Sequence, residues 1–490
     1  MTTLTALARA HAVESGCAQP ITTVRHVHVA DRPFACVPLA LAGEANAPLA
    51  ALVGDERERP RLLVVHQPRD RDQRFGFAHR MGQLFQGYIA RFPSVVQERV
   101  HESTRPVDGP QLWVPNPRST AFLKLFGRST RYRSVDGPYP VEETVPRLGR
   151  WLTQFVHEAE YPGQSMLLEA TTVLTQHWAT GQSAVEDAHL PALMAWLLTP
   201  DGMNGRAAAL AAEDPVTHPP AGPATDPTFD REVLAPAMAA YDAASNPVAR
   251  RTAKERLESA LRGQLAPTWD LVWQAIGLMR QLPPGERVVK RWVRDVRSNQ
   301  TFYLRLNDGS PPQPKRDGAV AAARRLSRLE RTQANYEAQR AFDDPLVMAE
   351  HRLAGNAFVG TVVEVEVDRF TGKARRPLIK VRTDDPVSLV SGTVLDPRRE
   401  RQKAEILEVE QDEDALIISL ELAGGMGNKT KEPPPPRSLP TEGEEVCYSA
   451  LSDEFKRDGD FPSLDETPWT HGGPPVPVRV TNEDVQEDWS

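Results

Sequence analysis

Apolar residues recur along this chain with three different spacings, and each spacing predicts a different kind of structure. Over 24–30, 34–43 and 61–66 they form short runs bounded by Pro, Gly and Asp, the pattern of strands in a half-buried sheet. A helix over 75–92 and a further strand at 112–114 complete an α/β domain predicted for residues 1–140. Between 145 and 308 the spacing lengthens to three and four residues. Leu148, Leu152, Phe155 and Val156 follow it, and so do Trp269, Trp273, Ile276 and Met279, which predicts an all-helical middle domain over 141–309. Five prolines, Pro215, Pro219, Pro220, Pro223 and Pro227, forbid a continuous helix there and predict an exposed loop over 213–227, open to proteolysis.

After a break at Pro311, Pro312 and Pro314, a helix is expected over 317–342 with only a narrow apolar stripe: Val320, Leu326, Leu329 and Tyr336. A second helix over 345–354 has Asp343 and Asp344 placed to cap it and Gly355 to end it, which makes 315–355 a helical stalk. The spacing then falls to two, starting at Phe358, Gly360 and Val362. Strands are expected at 358–367, 378–382, 392–395, 404–410, 415–422 and 445–448, close together and with no helices between them, which predicts a small closed β-barrel over 356–450. The stretch 451–490 is acidic and rich in Pro and Gly, the composition of a disordered tail. The expected fold class is therefore multidomain α+β, with a stalk leading into a barrel.

Composition narrows this picture. With 490 residues, 40% of them hydrophobic, the chain supplies several cores. No run approaches the roughly 20 apolar residues that cross a bilayer, and no basic segment leads into an apolar one at the start, so no membrane partner is expected. Cys17, Cys36 and Cys447 give neither a disulfide framework nor a metal-ligand spacing, which suits the cytoplasm. A net charge of -8 confines any binding of phosphates to local clusters.

Motifs with chemical meaning are few. The stretch Ala423-Gly424-Gly425-Met426-Gly427-Asn428-Lys429-Thr430 follows a predicted strand but has Asn428 and Ala423 where a phosphate-cradling loop needs glycine. His26 and His28, with Asp31 nearby, have the alternate spacing of some metal-hydrolase strands. The plainer account puts both histidines on the solvated face of a strand. No nucleophile elbow is present, and no cofactor is expected. Basic clusters carry more meaning. Arg324, Arg325, Arg328 and Arg331 share one broad face of the stalk helix. The barrel segment holds Arg369, Lys373, Arg375, Arg376, Lys380 and Arg382, then Arg398, Arg399, Arg401 and Lys403, beside the aromatic Phe370. These suit a sugar-phosphate backbone, unless Glu364, Glu366, Asp384 and Glu400 balance them into a solvated charged face.

The arginine-rich helical pair running into a small barrel through Ala354-Gly355-Asn356-Ala357-Phe358-Val359-Gly360-Thr361-Val362-Val363 resembles the stalk and β-barrel accessory region of superfamily 1B helicases. In that family these elements sit on the first motor domain, contact nucleic acid and regulate unwinding. The resemblance covers 317–450 and stops short of the motor, since no intact Walker A and no metal-binding Asp-Glu motif is present. It implies a non-catalytic accessory subunit that binds single-stranded or duplex nucleic acid and a separate helicase or nuclease, in DNA repair or defence against foreign DNA. Two alternatives stand beside it: a protein-interaction scaffold, and a metal-dependent hydrolase using His26, His28 and Asp31.

Overall fold

The computed structural model describes residues 2–44, 47–92, 108–372, 374–399, 402–426, 434–435, 438–454, 459–463 and 466. Its contacts divide the chain into two units. The larger holds 7–21, 25–329 and the described residues after 458; the smaller holds 2–6, 22–24 and 330–454.

The larger unit is built on a five-stranded sheet. Strands β1 (Phe34–Ala40), β2 (Pro48–Gly54) and β3 (Arg61–Val64) run antiparallel, while β4 (Leu112–Val114) and β5 (Leu167–Glu169) add in parallel beside β1, giving the order β3-β2-β1-β4-β5. All seven residues of β1 are buried. Successive strand residues point to opposite faces, and here both faces are apolar, so both must be covered. Phe34 and Cys36 enter a core with helices α1 (Arg71–Ile89), α2 (Pro117–Thr130), α3 (Thr144–Ala159) and the later helix Val288–Asn307. Ala35, Val37 and Leu39 enter a second core, covered by the long helix α4 (Pro247–Gln281) through Leu257, Leu261, Leu265 and Ile276. Asn116 caps α2 by accepting from the Ser119 N–H at 3.0 Å. Helices α2 and α3 cross at two glycines. A Cβ on Gly149 would lie 2.3 Å from the Arg131 nitrogen, and one on Gly127 3.1 Å from Leu152.

The smaller unit is a six-stranded antiparallel sheet that curls around its own core. With β6 (Ala357–Glu366), β7 (Leu378–Thr383), β8 (Gly392–Val394), β9 (Lys403–Asp412), β10 (Ala415–Ala423) and β11 (Glu445–Ser449), the order is β8-β9-β10-β7-β6-β11. The curl brings its two edges together at one bridge, where Leu395 and Ser449 exchange N–H···O bonds of 2.8 and 3.0 Å. Alternate residues supply the inside: Ile379 and Val381, Ala404 and Ile406, Ile418, Leu420 and Leu422. The helix Pro345–Leu353 precedes β6. Asp344 is fully buried and caps it, accepting from Leu346 N–H and from the Thr23 N–H and hydroxyl at 2.8–3.0 Å.

Several expectations need correcting. Residue 140 is not a domain boundary: β5 joins the N-terminal sheet, and Trp151, Phe155, Trp292 and Val296 share one core with Phe34 and Phe85. The helical spacing over 141–309 was right about burial, but the surface those helices cover is the sheet itself. The run 24–30 is no strand; its one ladder contact is the bridge between Arg25 and Pro284. The proline loop is exposed over 213–217 and at Ala224 and Pro227, but not throughout. Pro219, Ala221 and Gly222 are buried, the Ala40 N–H donates to the Pro223 carbonyl, and a Cβ on Gly222 would lie 2.5 Å from the Pro38 oxygen. Residues 427–430 of the glycine-rich motif, Lys373, Glu400, Arg401 and nearly all of the acidic stretch after 454 lie outside the described residues.

Candidate functional site

The cations of the curled sheet are held by carboxylates. Lys380 stands directly opposite Glu364 on the neighbouring strand and bonds it at 2.7 Å. Glu421 takes Arg369 at 3.1 Å and Arg376 at 3.9 Å, and Asp412 takes Arg382 at 3.4 Å. Arg375 meets Asp368 at 3.6 Å and lies 5.1 Å over the Phe370 ring. Arg398 and Arg399 both bond Asp396, which is 1% exposed, and Arg399 also bonds Glu444 at 2.6 Å. Residues on adjacent antiparallel strands sit about 5 Å apart, so alternating acids and bases in the sequence become cross-strand pairs. That is the charged, balanced face weighed against nucleic-acid binding.

The stalk helix, Ala319–Asp343, differs. Arg324 is exposed and lies 5.7 Å over the Phe461 ring, Arg328 lies 4.5 Å over the Tyr161 ring, and Arg331 is half-buried. Arg325 reaches Glu160 and Asp317 and in doing so enters a cleft of about 430 Å³. Helices α2 and α3 form two walls, and the segment around Gln313–Asp317 forms the third. This segment is strapped down: Arg131 donates to the Pro314 carbonyl at 3.0 Å, Tyr132 to the Gln313 carbonyl at 2.5 Å, and Gln313 to the Arg150 carbonyl at 2.9 Å.

Charge in this cleft does not balance. Lys124, Arg128, Arg131, Lys315 and Arg325 line it against Glu160 and Asp317, five cations to two carboxylates. Lys124 pairs with Glu160 at 3.1 Å, and Arg128 is exposed with no carboxylate at ion-pair distance among the described residues. His157, also on the wall, is held below the usual histidine range by burial and then by Arg325, so its ring is neutral near pH 7. Cations concentrated in a concave site with low-dielectric walls focus a positive potential outward.

His26 and His28 belong to the interior, not to a solvated strand face. They are 0% and 9% exposed. The His26 N–H donates to Nε2 of His177, whose Nδ1 lies 2.7 Å from the Val173 carbonyl, which fixes the neutral Nδ1–H tautomer. The His28 ring stacks on Trp292 at 4.3 Å, and the His28 backbone N–H donates to the Ser165 hydroxyl. Gln111 ties the segment to the sheet by donating to the carbonyls of His28 and Ser165 and accepting from Ala30 N–H and Trp113 Nε1–H at 2.7–3.0 Å. Burial raises the Asp295 carboxyl, which accepts from the Ser165 N–H, to about 7. Asp31 is exposed, and among the described residues no three His, Cys, Asp or Glu side chains converge as metal ligands. This network anchors an irregular segment whose backbone groups would otherwise be buried without partners.

The cleft residues Lys124, Arg128, Arg131 and Lys315 are absent from the basic clusters picked out in the sequence. Lys124, Arg128 and Arg131 nevertheless stand at four- and three-residue steps, the same spacing as Arg324, Arg328 and Arg331 on the stalk, and Phe122, Leu123 and Phe126 mark the opposite, buried face. Lys315 carries no such signal; only the fold brings it there. No described helix is long and apolar enough to cross a membrane. No protein-family model, curated protein or solved structure matches this chain.

Proposed function

We propose that this chain is a non-catalytic accessory subunit that grips nucleic acid in the cleft between α2, α3 and the strap at Gln313–Asp317, and hands it to a separate helicase or nuclease in DNA repair or defence. The observation that carries this reading is the composition of the cleft lining, five cations beside two carboxylates. Phosphate binding is driven by such local clusters and does not require a basic protein overall. Arg324 and Arg328 stand on the helix that sends Arg325 into the cleft, each against an aromatic ring, and extend the cationic surface past the cleft itself. The likeness of the stalk and curled sheet to a helicase accessory region, without the motor, supports a partner that supplies ATP hydrolysis. In this reading the sheet's own arginines hold the sheet together and add little affinity, while the smaller unit forms a small closed barrel that faces the partner.

Fluorescence anisotropy of the full chain with a labelled single-stranded oligonucleotide at low salt tests the proposal. Binding is expected, and the combined substitution Lys124→Glu, Arg128→Glu and Lys315→Glu should weaken it by about 100-fold with an unchanged circular dichroism spectrum. Absence of binding at low salt, or binding indifferent to the three substitutions, would overturn it.

A further inference from the structure

A second cavity in the larger unit, of about 620 Å³, shares no residue with the basic cleft and has the opposite character. Its floor is Trp196, 3% exposed and wedged between two glycines. A Cβ on Gly205 would lie 2.2 Å from the indole, and one on Gly181 2.7 Å. The wall behind it is fixed by a 2.6 Å bond from the Gly205 N–H to the Gly16 carbonyl, which ties the end of the N-terminal helix Thr3–Ser15 to the start of the helix Gly205–Ala211. The floor is therefore preformed, and an occupant pays little to organise it.

Two features point to a macromolecular occupant of defined chemistry. Val13 and Leu210 line the cavity, yet they are 63% and 69% exposed, apolar surface that a partner would remove from water. Around them stand Glu14, Glu186 and Glu213, opposed by Arg206 alone. Glu186 is held anionic by the Ser183 N–H, to which it accepts at 2.7 Å in a capping box. The chain's own C-terminal stretch is the wrong occupant: residues 459–490 carry seven Asp and Glu against one Arg, and the glutamates would repel it.

We infer that this cavity is a docking site for a basic amphipathic segment of a partner protein, one that sets an apolar side chain over Trp196 between Val13 and Leu210 and directs Lys or Arg to the three glutamates. The inference does not rest on the nucleic-acid reading, since the two sites share no residue.

The test uses the full chain and two labelled probes of equal length, an amphipathic helical peptide of Leu and Lys and its Leu and Glu counterpart. The Leu/Lys probe should bind and the Leu/Glu probe should not. Leu210→Asp should weaken the Leu/Lys probe at least about tenfold, as truncation of a central anchor does. Glu14→Lys with Glu213→Lys should weaken it comparably, while the Lys124→Glu, Arg128→Glu, Lys315→Glu protein binds it as the parent does. Four results overturn the inference: no binding of the Leu/Lys probe to the parent, binding indifferent to both sets of cavity substitutions, equal binding of the two probes, or a parent dimer in sedimentation that Leu210→Asp dissociates, which assigns the surface to a second copy of this chain.

Discussion

Arginine and lysine do different work in the two units. In the curled sheet nearly every described cation finds a carboxylate on a neighbouring strand or loop, as Lys380 does with Glu364 and Arg399 with Asp396 and Glu444. In the larger unit the cleft between α2 and α3 gathers five cations from three places in the sequence beside two lining carboxylates. The number of basic residues is a poor guide to positive potential; what decides is whether the geometry seats an acid opposite each. Antiparallel strands do so readily, because a period of two on both strands brings alternating acids and bases face to face. A helix face set against a proline-rich strap has no such regular partner.

The largest effect expected from this contrast falls on stability in the smaller unit. Asp385 accepts both guanidinium bonds of Arg352 at 2.7 and 2.8 Å and the Val359 N–H at 2.8 Å. Asp385→Ala should cost about 3 kcal/mol in urea denaturation, because it leaves partners unsatisfied, while oligonucleotide affinity of the folded protein stays within about twofold. A large loss of affinity would mean that the sheet's charges bind after all. Next comes Gly149→Ala in the larger unit. Its methyl would meet the Arg131 backbone, so α2 and α3 must part, at about 2 kcal/mol, and affinity should fall with the altered cleft. Retained affinity would detach the cleft from binding.

Smaller per unit of pH is an effect confined to the larger unit's buried network. Burial raises Asp295 from 3.8 to about 7, so its contribution to stability is full below 3.8 and is lost as pH rises to about 7. Burial, and then Arg25, lowers His28 from 6.5 to about 4, so its contribution is full above 6.5 and is lost as pH falls to about 4. The two oppose each other across one window. Asp295→Asn keeps an acceptor for Ser165 and removes one side of the balance. Relative to the parent, its stability should rise with pH between about 4 and 7, by up to about 1.4 kcal/mol per unit. Parallel pH profiles of parent and variant would contradict this assignment.

Much of the smaller unit was legible in the sequence, because a sheet with one buried face writes its register as strict alternation. The six strands expected from 358 to 448 appear within a few residues, and Asp344 caps its helix as its position predicted. The larger unit was less legible for a physical reason. Helical spacing in 141–309 shows that one face is buried but not against what, and the answer, a sheet begun a hundred residues earlier, is tertiary. His26 and His28 misled in the same way: alternation suggested a strand, whereas their burial comes from Gln111, Ser165, His177 and Trp292, all distant in sequence. Half of the cleft could have been found from Lys124, Arg128 and Arg131 on one helical face. Lys315 and the neutralising reach of Glu160 could not.

The most direct measurement is the salt dependence of oligonucleotide affinity for the parent, the cleft variant Lys124→Glu/Arg128→Glu/Lys315→Glu, and the sheet variant Lys380→Glu/Arg382→Glu. Each lost phosphate contact on a single strand should lower the slope of log K against log salt by about 0.7, so the cleft variant should lose about 2 from the parent slope and the sheet variant almost nothing. A sheet variant that loses as much slope as the cleft variant, or a cleft variant that keeps the parent slope, would contradict the account.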